Sequence, residues 1–195
     1  MKKQIVLGLV SIFMLTTIVS AQSESYKPWQ VNITGGYAIP SGKATKAGIT
    51  FNIEPQFNYT DNLSFGFRLG SALTLKAALD ASGQEIGEFS VAAVGSYVAT
   101  GSYYFQSEPG ASFRPFAGVG LGFATAAGAS VDYADPNYAD DYTSKSGFSG
   151  LLRAGFDISH FRLNAEYNVN PKTGRLNNNF IAINLGFYFG GGANR

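Results

Sequence analysis

The chain has 195 residues with no cysteine, 24 glycines, 16 Phe and 11 Tyr, and only 14% of it is charged, against roughly 25% in ordinary soluble domains. Zero cysteines exclude a disulfide framework, thiolate metal sites, a cysteine nucleophile and a lipid-modified N-terminal cysteine, and a formal charge of +1 leaves no clustered basic face for a nucleic acid. The length suits one domain or at most two small ones, and a hydrophobic content of 45% excludes a disordered chain.

Met1, Lys2 and Lys3 precede an apolar run from Ile5 to Val19 that ends in Val19-Ser20-Ala21. This is the pattern of a secretory signal peptide over residues 1–21, too short for a transmembrane helix. Removing Lys2 and Lys3 leaves 12 basic against 13 acidic residues, so the domain expected over residues 22–195 is near neutral.

From there period-two alternation recurs to the end of the chain, and no stretch has helical spacing. Strands are expected near 29–40, 48–59, 63–75, 89–105, 113–124, 147–158, 161–169 and 179–189. In the second, Ile49, Phe51, Ile53, Pro55, Phe57 and Tyr59 alternate with Thr50, Asn52, Glu54, Gln56 and Asn58. The third sets Leu63, Phe65, Phe67 and Leu69 against Ser64, Gly66, Arg68 and Gly70, and the seventh repeats the split from Phe161 to Val169. The fourth is weakly patterned. Most of these strands reach the 9 to 11 residues that a tilted strand needs to cross a bilayer.

The connections alternate between short turns (60–62, 106–112, 159–160) and longer loops (41–47, 76–88, 125–146, 170–178), as in outer-membrane barrels with short periplasmic turns and long extracellular loops. A periplasmic N-terminus then puts every short turn on the periplasmic side. Trp29, Tyr59, Tyr103, Phe105, Phe113, Phe161, Phe187 and Phe189 fall at that end, where an interfacial girdle belongs. A soluble sandwich or pocket barrel is the competing reading, and it would need the apolar face turned inward.

The segment Phe113-Arg114-Pro115-Phe116-Ala117-Gly118-Val119-Gly120-Leu121-Gly122-Phe123 and the final strand from Phe180 to Phe189 resemble those of small outer-membrane β-barrel proteins of the porin-like OmpX/OmpW type. The resemblance covers the whole chain after the signal peptide. It implies an all-β, eight-stranded antiparallel up-and-down barrel in the cell outer membrane, surrounded by outer-membrane lipid and lipopolysaccharide. The last strand, with Ile181, Ile183, Leu185, Phe187 and Phe189 on one face, resembles the sorting signal read by the barrel-assembly machinery, although the chain departs from that pattern in continuing to Arg195. The resemblance also carries a second functional reading, a narrow channel for small or hydrophobic solutes.

Polar parity places Glu54, Arg68, Arg114, Arg153, Asp157, Arg162 and Glu166 inside such a barrel. Opposed residues of a hairpin share an index sum, so a turn centred on Asp61 sets Glu54 against Arg68, and the 159–160 turn sets Arg153 against Glu166 and Asp157 against Arg162. Cross-strand ion pairs filling a narrow lumen are expected, with a charged selectivity constriction as the alternative. The inward Gly118, Gly120 and Gly122 make room for large neighbours or else loosen the interior. Pro55 and Pro115 each delete a ladder donor, so bulges are expected there.

No catalytic group stands out, because the one histidine, His160, lies in a periplasmic turn without a nucleophile or carboxylate cluster beside it. No enzymatic reaction, cofactor or resident metal is expected. The acidic, aromatic stretch from Asp132 to Tyr142 matches no EF-hand spacing and suits an extracellular partner contact through the loop 125–146. Lys43, Lys46, Lys172 and Arg175 gather where the first and last outer loops meet, either to contact lipopolysaccharide phosphates or as scattered solubilising charge. Together these features point to a structural or surface-interaction protein.

Overall fold

A computed structural model describes residues 23, 25–41, 45–79, 85–105, 108, 110–131, 141–172 and 177–193. The expected signal peptide, the tip 132–140, Lys43 and Arg175 lie outside the described residues, as does the side chain of Lys46.

Eight strands, β1 (Trp29–Pro40), β2 (Thr45–Asn58), β3 (Leu63–Leu79), β4 (Glu85–Tyr104), β5 (Phe113–Val131), β6 (Asp141–Ile158), β7 (Phe161–Val169) and β8 (Phe180–Gly190), close into one barrel in sequence order. All neighbours are antiparallel, and β1 meets β8 from Gln30 opposite Gly190 to Pro40 opposite Phe180. No helix among the described residues is long and apolar enough to cross a membrane; crossing is by strands.

The two faces explain why this sequence closes. On β2, Ile49 and Phe51 are 65% and 51% exposed, while Thr50, Asn52, Glu54 and Gln56 between them are buried. The same inversion runs around the barrel, with Leu121, Phe123, Leu152, Ile183, Leu185 and Phe189 outward. In water so large a contiguous apolar surface would aggregate; in a bilayer it is the solvated face. The belt begins at the turn end with Trp29, Phe105, Phe113 and Phe161. There edge-to-face pairs such as Trp29 with Phe57 and Tyr103 with Phe105, both 5.1 Å between centroids, build the expected girdle.

Towards the loop end the belt stops at Phe123 and Phe148, paired at 5.0 Å, and the next outward residues are Thr125 and Ser146, whose hydroxyls lie 2.8 Å apart. From Phe113 to Phe123 the wall spans about 25 Å at the usual rise and tilt, the height of a bilayer's apolar band.

β1, β7 and β8 match the expected lengths closely, but β3 to β6 run four to seven residues further at their loop ends. The stretch 125–146 is therefore mostly not a loop: Ser130 still pairs with Asp141. Beyond the belt the outward positions that alternate with buried ones turn from large apolar residues to Thr125, Ala127, Ser146 and Ser144, so the hydropathy signal of a strand disappears although the ladder continues. The expected bulges at the prolines are also absent. Pro55 pairs with Val31 and Pro115 with Phe156 in unbroken register. Towards β3 the ladder skips Glu54 and Pro55 and resumes unshifted between Ile53–Leu69 and Gln56–Gly66. Among the described residues, register shifts lie near the loop end, at 45–47 and 77–79.

Candidate functional site: the barrel interior and its two ends

Every one of the seven charged residues expected inside is buried there, and the registers that set Arg153 opposite Glu166 and Asp157 opposite Arg162 are present. The ion pairs, however, do not all follow the register. Asp157 and Arg162 do pair across their own hairpin, with Nε on Oδ1 at 2.8 Å and Nη2 on Oδ2 at 2.9 Å. Glu54 instead takes Arg153 from the far side of the lumen, with Nη1 on Oε2 at 2.5 Å and Nη2 on Oε1 at 2.7 Å. Arg68 takes Glu166. The expected Glu54–Arg68 and Arg153–Glu166 pairs are thus exchanged. An arginine stem is long enough to cross an eight-stranded interior, and the planar fork gains two parallel hydrogen bonds by doing so.

Smaller polar groups add to the coordination of these charges, while Arg68 Nε and Arg153 Nε are buried without a hydrogen-bond partner. Thr100 Oγ1 donates to Glu54 Oε1 at 2.6 Å, and Arg153 Nη2 donates to Ser102 Oγ at 2.8 Å. Arg68 Nη2 donates to Asn168 Oδ1, and Asn164 Nδ2 to Glu166 Oε1, at 2.8 and 2.7 Å. Arg162 Nη2 donates to the Tyr104 hydroxyl at 2.6 Å. Inward glycines admit the guanidinium groups: a Cβ at Gly118 would stand 2.8 Å from Ser102 Oγ and 3.1 Å from Arg153 Nε. Gly120 and Gly122 face Val98, Leu151 and the β4 backbone instead. The void left among Asn32, Asn52, Glu54, Arg68, Arg153 and Glu166 is about 10 Å³, room for one water at most.

Two features were not foreseen. Above the ion pairs, towards the loop end, the interior turns apolar, with Ala38, Ala72, Val94, Ala124, Ala126, Phe180 and Ala182 in one buried cluster. At the turn end, Ser23 and residues 25–28 fold into the barrel mouth. Ser23 Oγ and Ser25 Oγ donate to the Asp61 carboxylate at 2.5 and 2.7 Å, the Tyr26 hydroxyl donates to Ala111 O at 3.1 Å, and Lys27 N–H donates to Gly192 O at 2.9 Å.

Arg114 sits under this strap with its guanidinium carbon 3.7 Å from the Tyr26 ring centroid and 3.9 Å from that of Tyr104, a double cation–π stack. Burial pushes the Asp61 carboxyl up, but hydrogen bonds from Ser23 and Ser25 and the Arg114 charge outweigh it and hold it below the usual carboxylate range. Burial raises the Tyr26 phenol. Tyr104 was legible as an aromatic on the inward parity of β4; nothing before β1 marks Tyr26 as buried.

His160 lies in its turn, where Nδ1 and Tyr188 O are 3.2 Å apart, and it borders a recess of about 650 Å³ together with Tyr26, Lys27, Ser112 and the tail glycines. Among the described residues no cluster of His, Asp or Glu could hold a metal. Lys172 is exposed at the loop end, beside the junction where Ser41 N–H bonds Asn179 O.

An apolar outer belt, a charge-paired interior and strands long enough to span a bilayer define an outer-membrane β-barrel of eight strands. The family model of the outer membrane protein beta-barrel domain matches residues 9–189, and the chain belongs to that family. Neisserial surface protein A has a similar fold, with TM-score 0.57 and 14% identity over 86% of this chain and 99% of that one. The attachment invasion locus protein Ail of Yersinia pestis, in complex with the heparin analogue sucrose octasulfate, aligns at TM-score 0.48 and 13% identity over 85% and 99%. The N-terminal barrel domain of Pseudomonas aeruginosa OprF aligns at 0.44 and 14% over 85% and 100%. No curated protein matches the chain in sequence.

Proposed function

We propose that this protein is a closed outer-membrane barrel whose work is done outside the bilayer, as a structural and surface-interaction element with no enzymatic reaction. The observation that carries the reading is the interior, where three ion pairs and their amide and hydroxyl partners leave a void of about 10 Å³. An apolar cluster lies on one side of it and the Tyr26–Arg114 strap on the other. A narrow channel would need a continuous wet path along the axis, and this packing argues against one.

The remaining assignments follow from the same reading. Residues 1–21 direct export, and the termini and short turns face the periplasm. The projecting parts of β3 to β6, with the 125–146 hairpin, face outward to an extracellular partner. The last strand is read by the barrel-assembly machinery. Lys43, Lys46, Lys172 and Arg175 form a basic rim for lipopolysaccharide phosphates. Single cysteines at Ser144 and Ala111, labelled on intact cells by a membrane-impermeant maleimide, test the orientation: Ser144 is expected to label and Ala111 to be protected. The reverse pattern would turn the barrel over. Solute uptake into vesicles holding the purified barrel tests closure and is expected to match empty vesicles.

A further inference from the structure

The recess at the turn end of the barrel holds about 650 Å³, within the range of roughly 300 to 1,000 Å³ usual for small-molecule sites. Separate pieces of chain build it: the strap at Tyr26 and Lys27, the 110–112 turn, the 159–160 turn, and the end of β8 with its tail. Carbonyl oxygens of its wall are already engaged. Ala111 O accepts from the Tyr26 hydroxyl at 3.1 Å and Ser112 O from Ser159 N–H at 3.0 Å. Gly192 O accepts from Lys27 N–H at 2.9 Å and Gly190 O from Gly192 N–H at 2.7 Å. Donors remain. Tyr188 lines the recess at 4% exposure, and its hydroxyl makes no hydrogen bond among the described residues. The exposed Lys27 lines it as well.

The charge of this end is positive towards the recess. The Arg114 guanidinium stacks 3.7 Å from the centroid of Tyr26 in its wall, while Asp61 is taken by the Ser23 and Ser25 hydroxyls and Asp157 by Arg162. Donors beside positive charge favour an oxyanion. His160 narrows the class. Its Nδ1 lies 3.2 Å from Tyr188 O, and a carbonyl only accepts, so Nδ1 carries the proton and Nε2 of the neutral ring is an acceptor. The imidazole sits between Tyr188, 5.3 Å away between ring centroids, and the tail that holds Lys27, where a Cβ on Gly192 would stand 3.8 Å from its Cε1. A carboxylate or a sulfate offers acceptors alone, whereas a phosphate monoester that keeps one P–OH offers both.

We propose that this recess binds a phosphate monoester, whose oxyanion receives the Lys27 ammonium and the Tyr188 hydroxyl and whose P–OH donates to His160 Nε2. The site lies at the opposite end of the barrel from the projecting strands and goes beyond the surface-interaction reading, which can fail without it. The monoester is either free in solution or carried on a lipid, because the recess shares its end of the barrel with the girdle of Trp29, Phe113 and Phe161.

The test uses the full barrel in a phosphate-free maltoside detergent at about pH 6, where a monoester is half protonated. Methyl phosphate and methyl sulfate are the probes, and the NMR signals of His160, Tyr188 and Gly192 are the readout. Methyl phosphate is expected to shift these signals saturably, and methyl sulfate to bind at least about fivefold more weakly. His160→Ala should erase that preference, and Lys27→Gln should weaken methyl phosphate about tenfold. Tyr188→Phe should weaken it roughly two- to tenfold and leave the gel shift and unfolding midpoint unchanged, because the hydroxyl holds nothing in the free protein. In nanodiscs, the same shifts with phosphatidic acid but not with phosphatidylcholine assign a lipid source. Their absence there, with methyl phosphate still binding, assigns a free one. No saturable shift, equal binding of methyl sulfate, or an affinity unchanged in both Lys27→Gln and Tyr188→Phe would each overturn the proposal.

Discussion

Substitution of Glu54 removes the carboxylate that receives two guanidinium nitrogens of Arg153 at 2.5 and 2.7 Å and the Thr100 hydroxyl at 2.6 Å. Hydrogen bonds to charged groups contribute about 1.5 to 3 kcal/mol each. In Glu54→Ala the Arg153 charge stays in an interior without bulk water, so the expected loss is about 3 to 5 kcal/mol. Arg153→Ala should cost a similar amount for the mirror reason. The double variant should then lose less than the sum, with a coupling of roughly 0.5 to 3 kcal/mol.

The informative comparison is with Arg68, which faces Glu54 across the hairpin yet pairs with Glu166. The Glu54–Arg68 cycle should give the smaller coupling. Reversible urea unfolding of the barrel in lipid vesicles, followed by the fluorescence of Trp29, measures all the variants. A larger coupling of Glu54 with Arg68 than with Arg153 would refute the cross-lumen pairing.

Gly122→Ala would place a Cβ 2.0 Å from the Tyr97 carbonyl oxygen, so folding should fail by the gel shift between folded and heat-denatured barrel. Gly118→Ala has Gly101 O, Ser102 Oγ and Arg153 Nε as its nearest neighbours, at 2.8 to 3.1 Å, and should fold with a loss of about 1 to 3 kcal/mol. Tyr26→Ala removes one face of the Arg114 stack and should loosen the strap, read as faster proteolysis within residues 23–28, whereas Tyr26→Phe keeps the stack and loses one hydrogen bond worth about 1 kcal/mol. The Asp61 carboxyl sits below its ordinary range when folded, so its contribution to strap docking is present above the unfolded value of about 3.9. That contribution is lost as pH falls through the lower folded value, and Asp61→Asn should remove the pH dependence of strap proteolysis in that acid window.

The strand order and the registers at the turn end were legible because two-residue periodicity and short turns leave little freedom. Once Ser159 and His160 make the turn, Arg162 must oppose Asp157. The same logic failed for Glu54, because register fixes Cα positions and an arginine reaches past its neighbour to a better-shaped carboxylate. The upper halves of β3 to β6 were hidden for a different reason: past Phe123 and Phe148 the outward residues are Thr125 and Ser146, and without large apolar residues on that face nothing in hydropathy separates strand from loop. Tyr26 was invisible because its burial depends on Arg114, Tyr104 and Asp61, three residues distant in sequence.

The central claim, a lumen closed by cross-paired charges, is tested most directly by single-channel recording of the wild-type barrel in planar bilayers. The account predicts a flat baseline with no steady steps, and openings only when the pair is removed in Glu54→Ala/Arg153→Ala. Stable wild-type conductance whose ion selectivity changes on substitution of Arg68 or Arg153 would contradict it.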